Sequence, residues 1–239
     1  MRTENGGSHV DDHPVIELRD VRLSLDAGGS TVKILRGVDL RVASGETVAV
    51  TGPSGSGKTS LLMVMAGLEA VSSGEVRILG RDVTHMSEDA LARLRRGRVG
   101  IVFQGFHLVP TMTAVENVRL PLELAGAPDA RRKAEESLER VGLSERLRHY
   151  PAQLSGGEQQ RVALARAFAD APGIVLADEP TGNLDAATGS EVMRRMFALR
   201  REHGAALVLV THDAGLAGQC DRNLAMRDGR LEPGADSGP

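Results

Sequence analysis

Tryptophan is absent from the 239 residues, cysteine and tyrosine occur once each, and phenylalanine four times. With Cys220 alone no intrachain disulfide can form, which fits a reducing compartment. No aromatic residue precedes Phe103, so nothing before that point offers a ring for a base to stack on. Basic residues number 29 and acidic residues 32, a net charge of −3 that argues against sequence-independent nucleic-acid binding. No apolar run approaches the ~20 residues that span a bilayer. The opening "MRTENGGSHVDDHPV" has no apolar stretch of the kind a secretory signal carries. The expectation is a soluble protein, or one held at a membrane only through a partner.

What is present is enough apolar material for one sizeable α/β domain, 41% of the residues. Val21, Leu23 and Leu25 alternate with Arg22 and Ser24, and Val38, Leu40 and Val42 with Asp39 and Arg41; both stretches predict half-buried strands. "TVAV" at 47–50 is a short apolar strand entering a glycine-rich turn, and "KTSLLMVMAG" a helix ending at Gly67. "EVRIL", "VGIVF", "GIVLAD" and "AALVLVTHD" read as further strands, with a helix over residues 186–203. Between about 105 and 168 the pattern is helical. The domain runs over 15–231, with a flexible segment at 1–14 and a Pro/Gly-rich flexible tail at 232–239. The run "RLRRGR" near residue 93 reads as a solvated face.

"GPSGSGKT" at 52–59 fits the phosphate-binding loop pattern G-x-x-x-x-G-K-[ST], between a strand and a helix as its mechanism requires. Gly52, Pro53, Ser54, Gly55, Ser56 and Gly57 let backbone amides curl round a phosphate. Lys58 reaches β- and γ-oxygens, Thr59 offers a hydroxyl to Mg²⁺, and Ser60 follows in the same turn. Such a loop requires an acid on another buried strand, and "IVLADEP" supplies Asp178 for the metal and Glu179 as general base on a water. Gln104 and His212 end two further strands, and ligand sites in open α/β sheets lie beyond such ends.

"LSGGEQQR" at 154–161 raises a separate question. Ser155 and Glu158 have capping-box spacing, but Gly156 and Gly157 each cost about 0.8–1 kcal/mol relative to alanine inside a helix. A close approach to the backbone explains them, and an anion at the helix N-terminus is the candidate.

The set "GPSGSGKT", Gln104, "LSGGEQQR", "IVLADEP", "NLD" and "VTHD", in that order from about Val15 to Leu231, resembles the ATPase subunit of ABC transporters. The resemblance implies a P-loop NTPase core with an N-terminal antiparallel β-subdomain and an inserted α-helical subdomain. It implies ATP and Mg²⁺ as ligands, with Thr59, Asp178 and Gln104 at the metal. It implies a head-to-tail homodimer with two shared ATP sites, in which Ser155, Gly156 and Gly157 touch the partner's γ-phosphate and Asp185 runs along the seam. His212 would contact the γ-phosphate, and Gln104 would relay movement to the helical lobe. Leu25 stands where the family usually places an aromatic residue against adenine. "SGGE", "EPTGNLD" and "VTHD" look like the lipoprotein-release and macrolide-export group, most like its YbbA type. That group implies a permease of few membrane helices with a large extracytoplasmic domain, and a place on the cytoplasmic face of the inner membrane. The resemblance leaves open a mechanotransmission ATPase without transport, or an amino-acid importer subunit. No nucleic-acid partner is expected.

Overall fold

Apolar alternation builds the N-terminal sheet of the computed structural model, which describes residues 14–28 and 30–234. β1 (Ile16–Ala27) pairs antiparallel with β2 (Ser30–Val42). Its buried positions switch from Ile16 and Leu18 to Val21 and Leu23, because a bulge between Leu18 and Val21 carries Asp20 in the left-handed region at φ 43°. Leu25 continues the alternation but is 44% exposed. Val32, opposite it on β2, is 45% exposed as well, so the buried face of the ribbon ends before this point and the alternation no longer marks burial there.

β3 (Thr47–Thr51) leads through the glycine loop into α1 (Lys58–Met65). β4 (Ser73–Ile78) and β5 (Arg81–Asp82) complete a four-stranded sheet of order β2-β1-β4-β5. α2 (Glu88–Arg95) follows, where the sequence suggested only a charged face: Leu91 and Leu94 are buried on an otherwise polar helix capped by Ser87. β6 (Val99–Phe103) then gives way to a helical lobe of α3 (Ala114–Leu124), α4 (Ala130–Arg140) and α5 (Gly156–Phe168). β7 (Ile174–Asp178), α6 (Ala186–His203), β8 (Ala206–Val210), α7 (Ala214–Ala217), β9 (Arg222–Arg227) and β10 (Arg230–Pro233) complete the order. β10 pairs as far as Pro233, past the boundary expected at 231; positions 1–13 and 235–239 lie outside the described residues.

The second sheet has the order β10-β9-β3-β8-β7-β6, parallel except for the terminal β9–β10 hairpin. β3, β7 and β8 read as almost continuous apolar runs because both faces are covered. Val48, Val50, Ile174, Leu176, Val208 and Val210 face a core shared with α1, α2 and the antiparallel sheet. Val175, Ala177, Leu207 and Leu209 face the other core, shared with α3–α6. The lobe and the β-subdomain thus sit on opposite faces of one sheet, whose strand ends converge between them. Among the described residues no helix is long and apolar enough to cross a membrane.

Candidate functional site

The carboxyl ends of β3, β6, β7 and β8 open onto one cavity of about 620 Å³. Gly52, Ser54, Gly55 and Gly57 form one wall with Lys58, Thr59 and Ser60; Gln104, Asp178, Glu179 and His212 form the other. Gly52, Gly55 and Gly57 hold φ of 146°, 78° and 105°, which side chains rarely tolerate. A Cβ on Gly52 would also lie 2.2 Å from the Met226 carbonyl oxygen of β9.

Lys58 is 8% exposed, and its Nζ donates to the carbonyls of Gly52 (2.9 Å) and Pro53 (2.8 Å). Carbonyl oxygens satisfy its hydrogens without neutralising its charge, so a buried ammonium here suits an anion. α1 starts at the same point and adds its N-terminal field. The loop therefore fits a phosphate group.

The Thr59 hydroxyl donates to Asp178 Oδ2 at 2.9 Å, joining the loop to the end of β7. Burial pushes the Asp178 carboxyl above the ordinary aspartate range. The Thr59 hydrogen bond opposes this, the Glu179 charge adds to it and the Lys58 charge opposes it. Oxygen donors of this kind fit Mg²⁺, which takes one or two carboxylates and completes its shell with phosphate and water. Among the described residues no group of three or more His, Cys, Asp or Glu could hold a metal unaided. The donor set fits a metal that arrives with its phosphates.

Glu179 sits in the left-handed region at φ 43° while its N–H still donates to the Val210 carbonyl at 3.0 Å. The pairing of β7 with β8 thus continues past the strand end, and the turn brings the carboxylate Oε2 to 3.3 Å from His212 Nδ1. The Gln104 side-chain nitrogen lies 3.3 Å from Asn183 Oδ1. Gln160 is fully buried on α5, and its amide nitrogen donates to the carbonyls of Pro180 (2.6 Å) and Phe103 (3.4 Å), pinning the segments that carry Glu179 and Gln104.

Not every candidate gathers here. Pro53 and Ser56 belong to the loop but do not line the cavity, and the buried Ser56 hydroxyl has no hydrogen-bond partner among the described residues. Leu25 is absent from the lining too, and Ile34 of β2 is the aliphatic side chain present. Asp185 borders an adjoining cavity of about 310 Å³ that shares Glu179 and His212, and its side chain caps α6 by accepting from the Thr188 N–H at 3.0 Å. Ser155, Gly156 and Gly157 line neither. The capping box is present: Ser155 Oγ accepts from the Glu158 N–H at 3.3 Å, and Glu158 accepts from the Ser155 N–H at 2.9 Å.

A close approach within the chain accounts for Gly157, beside the anion that the sequence offered as the candidate; Gly156 has only a looser neighbour. A Cβ on Gly157 would lie 2.3 Å from Thr188 Cγ2, and one on Gly156 3.3 Å from Leu184 Cδ2. Gly157 is buried against α6, whereas Gly156 and Ser155 keep a face toward solvent. Sequence reasoning also missed Ile34, Gly182, Asn183 and Thr188. The last three stand in or beside "GNLD", a string with no local signature of what it touches.

The sequence profile described as ABC transporter matches residues 35–182. The uncharacterized ABC transporter ATP-binding protein YbbA of Escherichia coli K12 is 50% identical over 220 residues, 91% of this chain and 96% of that protein. The lipoprotein-releasing system ATP-binding protein LolD 2 of Caulobacter vibrioides is 49% identical, covering 92% and 97%. The macrolide export ATP-binding/permease protein MacB of E. coli K12 is 44% identical, and the chain matches 34% of its length. Among solved structures, the dimeric post-hydrolysis state of the ATP-binding cassette MJ0796 bound to ADP and Pi superposes with a TM-score of 0.85 at 40% identity, covering 91% of this chain and 96% of that one.

Proposed function

The chain belongs to the ABC transporter family, as an ATP-binding and ATP-hydrolysing subunit of the YbbA, LolD and MacB kind, and we propose that the cavity beyond β3, β6, β7 and β8 is its Mg·ATP site. The observation that carries this reading is the Thr59–Asp178 hydrogen bond, which brings the phosphate loop and the acidic strand end together with Glu179, His212 and Gln104 round the same space.

Lys58 would exchange its two loop carbonyls for β- and γ-phosphate oxygens, and the amides of 52–57 would hold the β-phosphate. Thr59 Oγ1, Asp178 and the Gln104 side-chain oxygen would hold Mg²⁺, which when bound neutralises charge on the β- and γ-oxygens. Glu179 would take the proton of the attacking water. His212, 3.3 Å away, would steady that carboxylate and face the γ-phosphate. Ile34 and Leu25 would give the adenine an aliphatic platform.

Cassettes of this family dimerise and work with membrane permeases. In this chain the second half of each site would come from a second copy, through Ser155 and Gly156 with the Gly157 backbone, and Asp185 along the seam. The permease partner would have few membrane helices and a large extracytoplasmic domain, with the cassette on the cytoplasmic face. Its docking place would be the apolar cleft of about 340 Å³ along the edge strand β6, bounded by Phe103, His107, Pro121 and Leu122. Beside it the Arg166 guanidinium clamps the carbonyls of Phe106 and His107, two consecutive residues in the left-handed region.

The test is Glu179→Gln. Turnover should fall by about 10²–10⁴-fold while ATP binding persists, and light scattering should show a dimer with Mg·ATP. Full turnover would remove Glu179 from its role. Capture of that variant with Mg·ATP from solubilised membranes should recover a permease of the MacB or LolD-partner shape. A multi-helix importer permease would reassign the subgroup and leave the chemistry unchanged.

A further inference from the structure

We propose that Asn183 fixes which end of the Gln104 side-chain amide faces the metal, making Asn183 a positioning residue for Mg²⁺; this rests on the reading of the cavity as a Mg·ATP site. A glutamine amide has two ends of nearly equal size, and only its oxygen can ligate a hard cation. Nothing within Gln104 selects between them.

The selection comes from a chain of donors and acceptors. Asn183 Nδ2 donates to the backbone carbonyl of Gln104 at 3.0 Å. A carbonyl only accepts, so the end of Asn183 turned to it is the nitrogen, and its oxygen is the other end. That oxygen, Oδ1, lies 3.3 Å from the Gln104 side-chain nitrogen. An oxygen of Gln104 at that place would face Asn183 Oδ1 with no hydrogen between them. Asn183 therefore binds the Gln104 backbone and side chain together, retains the amide nitrogen, and leaves the amide oxygen to the cavity that Gln104 lines.

Gly182 gives the amide room without choosing between its ends. A Cβ there would come 2.6 Å from Gln104 Nε2 and 3.0 Å from its Cδ. Gly182 is outside the left-handed region, so its backbone conformation does not itself demand glycine. A side chain there would meet the movable end of Gln104. The rest is anchored, because the Gly182 N–H donates to the Glu179 carbonyl at 3.0 Å and Gln160 ties Pro180 to Phe103.

The experiment measures nucleotide affinity by titration with a fluorescent ATP analogue, first in EDTA and then across a Mg²⁺ series, in the full chain. Melting curves confirm that each variant is folded. Asn183→Ala should raise the Mg²⁺ concentration for half-maximal tightening by about tenfold and leave affinity in EDTA unchanged. Gln104→Ala should raise it similarly, and the double variant no further. In Gln104→Glu, which presents oxygen at both ends, Asn183→Ala should no longer raise the Mg²⁺ requirement. An unshifted Mg²⁺ requirement in Asn183→Ala while Gln104→Ala shifts it overturns the proposal alone, as does equal weakening in EDTA. If Gln104→Ala itself needs no more Mg²⁺ than the wild type, the assignment of Gln104 to the metal falls and takes the proposal with it.

Discussion

Two helices of this protein begin among glycines, and the glycines serve different ends. In the loop before α1, Gly52, Gly55 and Gly57 hold positive φ, and the backbone bends in a way that side chains resist. At the start of α5, Gly156 and Gly157 hold ordinary helical backbone. Gly157 is glycine because the Thr188 methyl of α6 occupies the place of its side chain. The first region is complete within one chain: loop, buried lysine, hydroxyl and carboxylate surround a single cavity. The second presents Ser155 and Gly156 outward and lines no cavity of its own chain. One glycine cluster thus bends a backbone round a cavity, and at the other Gly157 lets two helices touch.

The largest effect belongs to the complete region. Lys58→Ala should lower ATPase turnover by on the order of 10²–10³-fold and abolish tight nucleotide binding, because among the described residues it removes the one buried cation at the proposed phosphate cavity. Phosphate release and nucleotide titration check it. Comparable turnover in the variant would mean that the loop geometry alone carries binding.

Gly157→Ala tests the second region. Its Cβ must displace the Thr188 methyl, at a cost of about 1–3 kcal/mol, seen as a fall in melting temperature. Thr188→Ser removes that methyl, so the double variant should regain its stability. If it regains turnover as well, Gly157 is a packing residue only. If stability returns and turnover does not, a partner's phosphate also needs the bare backbone, and the two glycine clusters are more alike than their geometry suggests. Gly156→Ala, facing the movable Leu184 side chain, should cost little stability and weaken ATP-driven dimerisation.

Asp178 sharpens the contrast through pH. Its folded pKa lies above the unfolded value because burial disfavours the charge. The group therefore favours the folded state below the ordinary aspartate range and loses that contribution as pH rises through the folded value. Without nucleotide, Asp178→Asn should melt higher than the wild type at pH 7, and the gap should close as the pH falls below about 4, where unfolded aspartate becomes protonated. A gap that does not depend on pH would trace the gain to something other than the buried charge.

How legible these regions were follows the same division. Lys58, Thr59, Asp178, Glu179, Gln104 and His212 could be read from sequence because each stands at a strand end or in a fixed local spacing, and a parallel sheet gathers strand ends. The contact of Gly182 with Gln104, and of Gly157 with Thr188, joins segments far apart in the chain. No periodicity records such a contact; the glycine is visible in the sequence, and its neighbour is not. α2 was missed for a different reason: Leu91 and Leu94, three residues apart, do mark one apolar face, but the arginines that follow drew the reading to a solvated surface.

Leu25 is the position where the two kinds of information disagree, and it has the smallest expected effect. The family resemblance gives its place the role of an adenine platform, yet its side chain is 44% exposed, and the aliphatic residue at the cavity is Ile34. A base stacked on an aromatic ring gains about 1–3 kcal/mol. Leu25→Tyr should recover the lower part of that range and tighten ATP severalfold in a fluorescent-nucleotide titration, without changing turnover at saturating ATP. Leu25 is outside the core, so the larger ring displaces no buried side chain. If affinity stays constant in Leu25→Tyr and falls in Ile34→Ala, the platform lies on β2. The adenine would then be held by the strand that borders the phosphate loop, and the complete region would extend to its base-binding end without any help from β1.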